Sequence, residues 1–251
     1  MNTTALQPAF VLHQRPYRET SALVDLFSAD SGLLRVVVRG VKGGGKATSM
    51  RRSIVQAFNE VAVSWGGKGT LKTAHNIELI KSHQLVSRQQ LYAGLYINEL
   101  MLRLASHNEA CSSLYPVYRN SVLTLEAVDI KKNNSAELIE VALRRFEMYL
   151  LETLGFEIDF LHCANNGAQI EPDYNYCYEV DHGFIACKKI ERQNKNLPTI
   201  NLKNIPGKII LALSKNNFEQ IATRRYAKLI MRSALAQQLG DKPLKSRALY
   251  R

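Results

Sequence analysis

The chain has 251 residues, enough for one large domain or two smaller ones. Lys and Arg total 33 against 22 Asp and Glu, and this net charge of +11 favours an anionic partner: nucleic acid, an anionic membrane surface or an acidic protein. No run of 18 apolar residues predicts a membrane span, and the N-terminus lacks the basic and apolar regions of a secretory signal. The four scattered cysteines exclude a disulfide scaffold and favour a reducing, cytoplasmic location.

Residues 1–82 are predicted to form a β-rich domain, because apolar and polar residues alternate with the period of half-buried strands. Pro16 indicates a turn over Arg15–Glu19. Five strands in so short a segment must hide two edges and one face, which favours a small closed barrel over an open meander resting on the remaining chain. The predicted strands are Ala9–Leu12, Ser21–Phe27, Leu33–Arg39, Val55–Trp65 and Thr70–Ile80.

The third strand leads into a glycine-rich basic loop, Gly40–Arg52, and no acidic residue occurs from Ser31 to Asn59. Three successive glycines, Gly43–Gly45, let the backbone approach a ligand closely. A cationic loop of this kind suits a polyanion with a repeating backbone, although basic surface loops are often only solvated. The cations of the strand and loop are Arg35, Arg39, Lys42, Lys46, Arg51 and Arg52.

Residues 83–251 are predicted to form a mainly helical domain that contains an irregular region over about 156–205. Ser135 is the predicted N-cap of the clearest helix, and Gly155 is its predicted C′ residue. The irregular region carries two short strands, at Tyr174–Glu179 and Gly183–Lys188. The predicted helices are Gln89–Ser106, Cys111–Ala127, Ala136–Leu154, Gly207–Ser214 and Asn217–Gln238.

No catalytic motif is present, and an enzymatic role is not expected. The glycine-rich segment is not a phosphate-binding P-loop, because Lys46 is followed by Ala47 and no helix is expected to open there. Cys163, Cys177 and Cys187 fall in one irregular stretch, but structural zinc commonly takes two CxxC pairs and the second member of each is missing. Small buried thiols are therefore the preferred interpretation.

Seven segments, in this order along nearly the whole chain, resemble the RecO family of DNA repair proteins. They are AFVLHQRPYRETSALVDLFSADSGLLRVVVRGVKGG, GGKGTLKT, LYAGLYINELMLRL, ALRRFEMYLLETLGF, FLHCANNG, GFIAC and KPLKSRALYR. The resemblance implies an α+β protein, with an N-terminal five-stranded OB-fold and a C-terminal helical domain.

The resemblance also implies a recombination mediator and not an enzyme. Such a protein binds single- and double-stranded DNA, anneals complementary strands, and works with RecR to load RecA onto DNA coated by single-strand-binding protein (SSB). It recognises the acidic C-terminal tail of SSB, is a monomer on its own, and is expected to be cytoplasmic and nucleoid-associated. Many members hold zinc in a four-cysteine site; this chain keeps only positions like Cys163 and Cys187, so no cofactor is expected.

Two sets of site residues follow from this interpretation. The SSB tail is acidic and ends in an apolar residue, so its pocket should pair an arginine with apolar side chains. One helical face provides this combination, with Arg144 as the carboxylate partner beside Val141, Met148 and Leu151; the alternative is that Arg144 only covers the domain surface. The predicted DNA contacts are Arg35, Arg39, Lys42, Lys46, Arg51, Arg52, Lys68 and Lys72.

Two other functions fit the same charge and fold. An RNA-binding OB protein or ribosome-associated factor would look alike in sequence, and would differ by its dependence on the 2′-OH. A protein of anionic membranes fits less well, because the helix Asn217–Gln238 lacks the aromatic edge of an interfacial helix apart from Phe218.

Overall fold

A computed structural model describes residues 4–67, 71–107, 109–110, 112–187 and 202–250. It divides into two compact units, of which the first is Met1–Ile139 with Leu244–Arg251 and the second is Glu140–Pro243. The predicted domain boundary at residue 82 coincides with the end of a strand, but the next two helices group with the barrel in the first unit. That boundary therefore stays a prediction.

Five strands of the first unit form a closed barrel in the order β1-β2-β3-β5-β4. Four of the pairings are antiparallel, and β3 pairs with β5 in parallel. This closed five-stranded arrangement confirms the predicted OB-like barrel. The strands are β1 (Gln7–Tyr17), β2 (Ser21–Ser28), β3 (Gly32–Val38), β4 (Asn59–Gly66) and β5 (Leu71–Ser82), and helix α1 (Lys46–Ile54) lies between β3 and β4 in the chain.

The barrel interior follows the alternation of β3. Leu34, Val36 and Val38 are buried in the apolar core of the barrel, whereas Arg35 between them is partly exposed. Ile54 and Val55 join the same core from the end of α1. The predicted parity of this strand is confirmed, and the parity fixes which face carries the charged side chains.

Two local predictions in the barrel were wrong. Strand β1 continues to Tyr17, so Pro16 lies within it, opposite Ala22. Proline is tolerated there because β4 pairs with β1 only over Gln7–Phe10, so that β2 is the one described strand paired with β1 at Pro16.

The second wrong prediction is the loop, which ends where α1 begins at Lys46. Gly45 precedes the helix with φ of 111°. Arg51 and Arg52 lie in its last turn, where cations interact favourably with the helix dipole. Ile54 is the one buried residue of α1, so its sequence offers almost no apolar stripe that would reveal a helix.

Two helices pack against the barrel within the first unit: α2 (Arg88–Leu104) and α3 (Leu114–Ala127). Ser87 and Gln90 form a capping box that starts α2. The side-chain amide of Asn98 on α2 donates to the Leu12 carbonyl of β1 at 2.8 Å, and the Tyr118 hydroxyl of α3 donates to Asn98 Oδ1 at 2.8 Å. One buried chain of hydrogen bonds therefore connects α3, α2 and the barrel.

Helix α4 (Ser135–Thr153) confirms the predicted C′ glycine. Gly155 has φ of 81°, a conformation that glycine adopts without steric cost. Its N–H bonds to the Glu152 carbonyl at 3.0 Å, and the N–H of Phe156 bonds to the Leu151 carbonyl at 2.8 Å. These two bonds form a Schellman motif, which ends the helix.

The second unit contains α4 from Glu140 onward, a three-stranded sheet of order β7-β6-β8, and the helices α5 (Gly207–Ser214) and α6 (Ile221–Leu239). The strands are β6 (Asn175–Glu179), β7 (Gly183–Ala186) and β8 (Leu202–Pro206). The two predicted strands of the irregular region match β6 and β7, whereas β8 was not predicted. Gly207, where β8 meets α5, lies so close to the Glu171 carbonyl that a Cβ atom would be 1.8 Å from its oxygen.

Tyr118→Phe tests the hydrogen bonds between the helices and the barrel. Burial holds the pKa of the Tyr118 phenol far above its ordinary value, so the hydroxyl remains a donor. Its removal leaves the buried Asn98 Oδ1 without this partner, and we expect the free energy of unfolding to fall by about 1–3 kcal/mol. Chemical denaturation measures the loss. Tyr149→Phe, at a side chain 45% exposed, is the matched control and should change little; equal effects of the two variants would contradict the proposed tie.

Glu99 ties the C-terminal 3-10 helix (Lys245–Tyr250) to α2. Its carboxylate accepts hydrogen bonds from the Lys245 and Ser246 N–H groups at 2.8 Å and from the Ser246 hydroxyl at 2.6 Å. Burial alone would raise the pKa of Glu99, but these hydrogen bonds hold it below the ordinary 4.5. The tie therefore contributes stability above that value and loses it as the pH falls through the folded-state pKa.

We expect Glu99→Gln to lower the melting temperature at pH 7, with a difference from the wild type that shrinks below about pH 4. Thermal unfolding followed by circular dichroism over a pH series measures this. The exposed Glu152→Gln serves as the control. A difference that stays constant with pH would show that the carboxylate charge is not what holds the segment.

Candidate nucleic-acid interface

A groove of about 580 Å³ lies on the barrel between the end of β3, helix α1 and the middle of β5. Arg39 comes directly after β3, and Arg51 reaches the same groove from α1. Two cations that are twelve residues apart in sequence are thus brought to one site. The remaining lining residues are Val38, Gly66, Gly67, Thr73, Ala74, His75, Asn76 and Ile77.

The guanidinium groups of α1 are held by backbone carbonyls. Arg51 donates to the Arg39 carbonyl at 3.3 Å, and Arg52 donates to the Val41 carbonyl at 3.2 Å. A carbonyl oxygen orients a cation without cancelling its charge. Both exposed arginines are therefore positioned and still attract anions.

The turn between β1 and β2 extends this positive region. Lys42 donates from Nζ to the Arg18 carbonyl at 3.3 Å, and the Arg18 guanidinium lies 5.2 Å from the centre of the Tyr17 ring. OB-fold proteins bind oligonucleotides with the loops that follow their first and fourth strands, together with the neighbouring sheet face. Residues 18–20 are the first of these loops, and Gly66 and Gly67 at the groove end β4 before the second.

Three further predicted lysines have different outcomes. Lys46 is exposed at the start of α1, which has no acidic residue in its first turn. Lys72 on β5 donates from Nζ to the Gly67 carbonyl at 3.3 Å, beside the groove. Lys68 lies outside the described residues. We refer to the following cations as the basic surface: Arg39, Lys42, Lys46, Arg51, Arg52 and Lys72.

Arg35 is left out of the basic surface because it pairs with a carboxylate, and its predicted DNA contact stays a prediction. Its Nε lies 2.6 Å from Asp25 Oδ1, and Asp25 stands directly opposite it in the β2–β3 register. The Asp25 side chain is almost buried and His13 Nδ1 is 3.7 Å from its other oxygen. The charge of Arg35 is therefore largely neutralised within the barrel wall.

Sequence reasoning missed three residues of this region. His75 and Asn76 line the groove from β5, and Tyr17 places a half-buried aromatic ring at the β1–β2 turn. The predicted fifth strand contained His75 and Asn76, but adjacent residues of a strand have opposite parity, so alternation could not have placed both in one groove. Tyr17 was assigned to a turn, because the first strand was predicted to end at Leu12 whereas it continues to Tyr17.

The predicted SSB-tail residues lie in the second unit. Arg144 is only 5% exposed, and its Nη2 is 2.9 Å from Glu147 Oε1; its Nε and Nη1 are buried without a hydrogen-bond partner. Met148 and Leu151 line a cavity of about 150 Å³, whereas Arg144 and the half-buried Val141 are not among its lining residues. The structure thus groups two of the four predicted residues in one cavity.

Three of the four cysteines lie in the described residues. Cys177 and Cys187 face each other with 2.6 Å between their sulfur atoms, and Cys163 is buried. Over the described ranges, no three His, Cys, Asp or Glu side chains come together as metal ligands. Asn166 stands where a CxxC partner of Cys163 would be.

Two family models match the chain. Recombination protein O N terminal covers residues 1–83, and Recombination protein O C terminal covers residues 87–248. The chain belongs to the RecO family. The N-terminal model covers the closed barrel, and the C-terminal model covers the region that begins with α2. The predicted family is confirmed.

Relatives agree over nearly the full length. A protein named DNA repair protein RecO from Yersinia pestis (strain Pestoides F) is 37% identical over 245 residues, which cover 98% of this chain and 93% of the relative. Another of that name from Psychromonas ingrahamii is 39% identical over 243 residues, which cover 96% of each chain. RecO membership supports a role in DNA repair and recombination and in DNA binding. Among the helices of the described segments, none is both long and apolar enough to span a bilayer.

Proposed function

We propose that the chain is a recombination mediator that binds single- and double-stranded DNA on its basic surface and anneals complementary strands. With RecR, it would help load RecA onto DNA coated by SSB, without making or breaking a covalent bond. The observation that carries the proposal is the basic surface, of which Arg39 and Arg51 line the barrel groove. Among the described residues, none of its six cations has a carboxylate within ion-pair distance. RecO membership supplies the DNA repair context.

The groove suits binding through phosphates. Arg39 and Arg51 supply charge, and none of the lining residues that the structure describes is Phe, Tyr or Trp, on which bases stack. A strand held by its backbone keeps its base edges free to pair, and contacts to phosphate carry no sequence information. Neutralising two strands on one surface would also reduce their mutual repulsion, which favours annealing.

Salt dependence tests this mode of binding. About five phosphate contacts to a single strand predict an affinity that falls about 100-fold between 50 and 200 mM salt. Arg39→Ala with Arg51→Ala removes two contacts, and we expect a salt slope that is less steep by about 1.4 together with slower annealing. Fluorescence anisotropy on a labelled single strand measures the slope, and mixing of labelled complementary strands measures annealing.

A matched control removes the same formal charge elsewhere. Lys131 and Lys132 are exposed in the loop between α3 and α4, and their double alanine variant should keep the wild-type slope. Equal slopes for the two double variants would remove the groove from the DNA site. Binding that prefers RNA and ignores SSB on coated DNA would instead favour an RNA-binding OB protein.

We further propose that the SSB tail binds the second unit near Arg144. The buried Nε and Nη1 of Arg144 lack partners, and a buried donor without a partner favours an incoming carboxylate. The neighbouring cavity at Met148 and Leu151 offers space for an apolar end group. An acidic peptide with an apolar terminus would satisfy both features if Arg144 became accessible to it.

Replacement of Arg144 tests this site. Arg144→Gln alone would remove one partner of a buried ion pair with Glu147, which is destabilising, so the test uses Arg144→Gln with Glu147→Gln. We expect the double variant to stay folded and to bind an SSB-tail peptide about 10- to 100-fold more weakly, because charge-assisted hydrogen bonds are lost.

Isothermal titration calorimetry with the SSB-tail peptide measures this loss. Arg145→Gln is the control, since Arg145 is exposed and lies 5.8 Å from the Phe218 ring. Unchanged affinity in the double variant would exclude Arg144 from the site.

A further inference from the structure

Two thiols meet on one face of the β6–β7 hairpin in the second unit. Their Sγ atoms, of Cys177 and Cys187, lie 2.6 Å apart, and both residues are free and partly exposed. Cys177 stands opposite Ile185 in the hairpin, and the Cys187 N–H donates to the Asn175 carbonyl at 3.0 Å. Cys187 therefore continues the register of β7, and Cys177 is its diagonal neighbour on the same face.

We propose that Cys177 and Cys187 are a redox-active dithiol, which a peroxide converts to an intramolecular disulfide and a small thiol converts back. The proposal is independent of the DNA-binding function. Side chains on a diagonal of two strands come into contact less often than directly opposed ones, yet these two sulfur atoms already touch. Only a small further approach separates the pair from bonding geometry.

The surroundings distinguish the roles of the two thiols. Burial, followed by the contact with Cys187, raises the pKa of Cys177 to about 11, although the Asn204 backbone and Lys203 act in the opposite direction. The first attack is assigned to Cys187, which lies just beyond the end of β7, and the second to Cys177, which is held within β6. Cys163 is only 4% exposed, which shields it from oxidants.

The chemistry is balanced with a peroxide as the oxidant. The Cys187 thiolate attacks one oxygen of hydrogen peroxide, the O–O bond breaks, and hydroxide leaves to form a sulfenic acid. The Cys177 sulfur then attacks the Cys187 sulfur and gives up its proton, so that an S–S bond forms while the S–O bond breaks and water leaves. Two thiols and one peroxide thus yield one disulfide and two waters.

The disulfide would fasten the end of β7 to the middle of β6. It would occupy the region in which the family resemblance places a zinc site that these residues do not fit. A reversible bond at this position would make the hairpin more resistant to unfolding while it is oxidised, because it restricts the unfolded chain. Oxidising conditions would then raise the resistance of this hairpin to unfolding, and reducing conditions would lower it again.

Mass spectrometry of the full-length chain tests the proposal. The reduced protein is treated with hydrogen peroxide, blocked with iodoacetamide under denaturing conditions, and cleaved after acidic residues, which separates the two cysteines at Glu179. We expect two of the four thiols to escape alkylation, a Cys177–Cys187 linked peptide to appear, and dithiothreitol to reverse both changes. The hairpin should also resist proteolysis longer in the oxidised form.

Variants assign the roles. Cys163→Ser should still form the link, whereas Cys177→Ser should accumulate a sulfenic acid at Cys187 that dimedone traps. Cys187→Ser should leave Cys177 largely unoxidised at the same peroxide concentration. Four alkylated thiols after peroxide treatment, or a link through Cys163 or between two molecules, would overturn the proposal.

Discussion

The parallel pairing of β3 with β5 is the contact on which the barrel and its groove both depend. It joins strands that are separated in the chain by α1 and β4, and it closes a sheet that would otherwise present two open edges. The same pairing brings Arg39, which follows β3, beside the β5 residues that line the groove. The strand pairing that closes the barrel therefore also assembles the proposed DNA site.

The way in which the basic surface is anchored follows from that closure. Arg51, Arg52 and Lys42 bond to backbone carbonyls of nearby loops, so they are oriented but not neutralised. Side chains that are already ordered lose less conformational entropy when a ligand arrives, and this favours binding. Arg35 differs because Asp25 faces it across the β2–β3 register. The charge of Arg35 thereby stabilises the barrel wall, whereas the charges around the groove remain available to an anion.

Local rules predicted much of this fold, and pairings between distant segments explain what they missed. The alternation around Val36 gave the correct face of β3, and Gly155 gave the end of α4, since both depend on neighbours in the chain. Helix α1 was missed because it follows three glycines and buries Ile54 alone. The Asp25–Arg35 pair depends on the register of β2 against β3, which the alternation within each strand does not specify. The burial of Arg144 depends on packing of the second unit, which helical spacing does not specify.

The hydrogen bonds of Glu99 to Lys245 and Ser246 also have a consequence for folding during synthesis. The first unit is discontinuous: it leaves off at Ile139 and resumes at Leu244, with the whole second unit in between. A ribosome that adds about 5–20 residues per second therefore needs roughly 5–20 seconds to pass from one part to the other. During that interval the first unit still lacks the segment Leu244–Arg251, and the second unit can fold before that segment has been made.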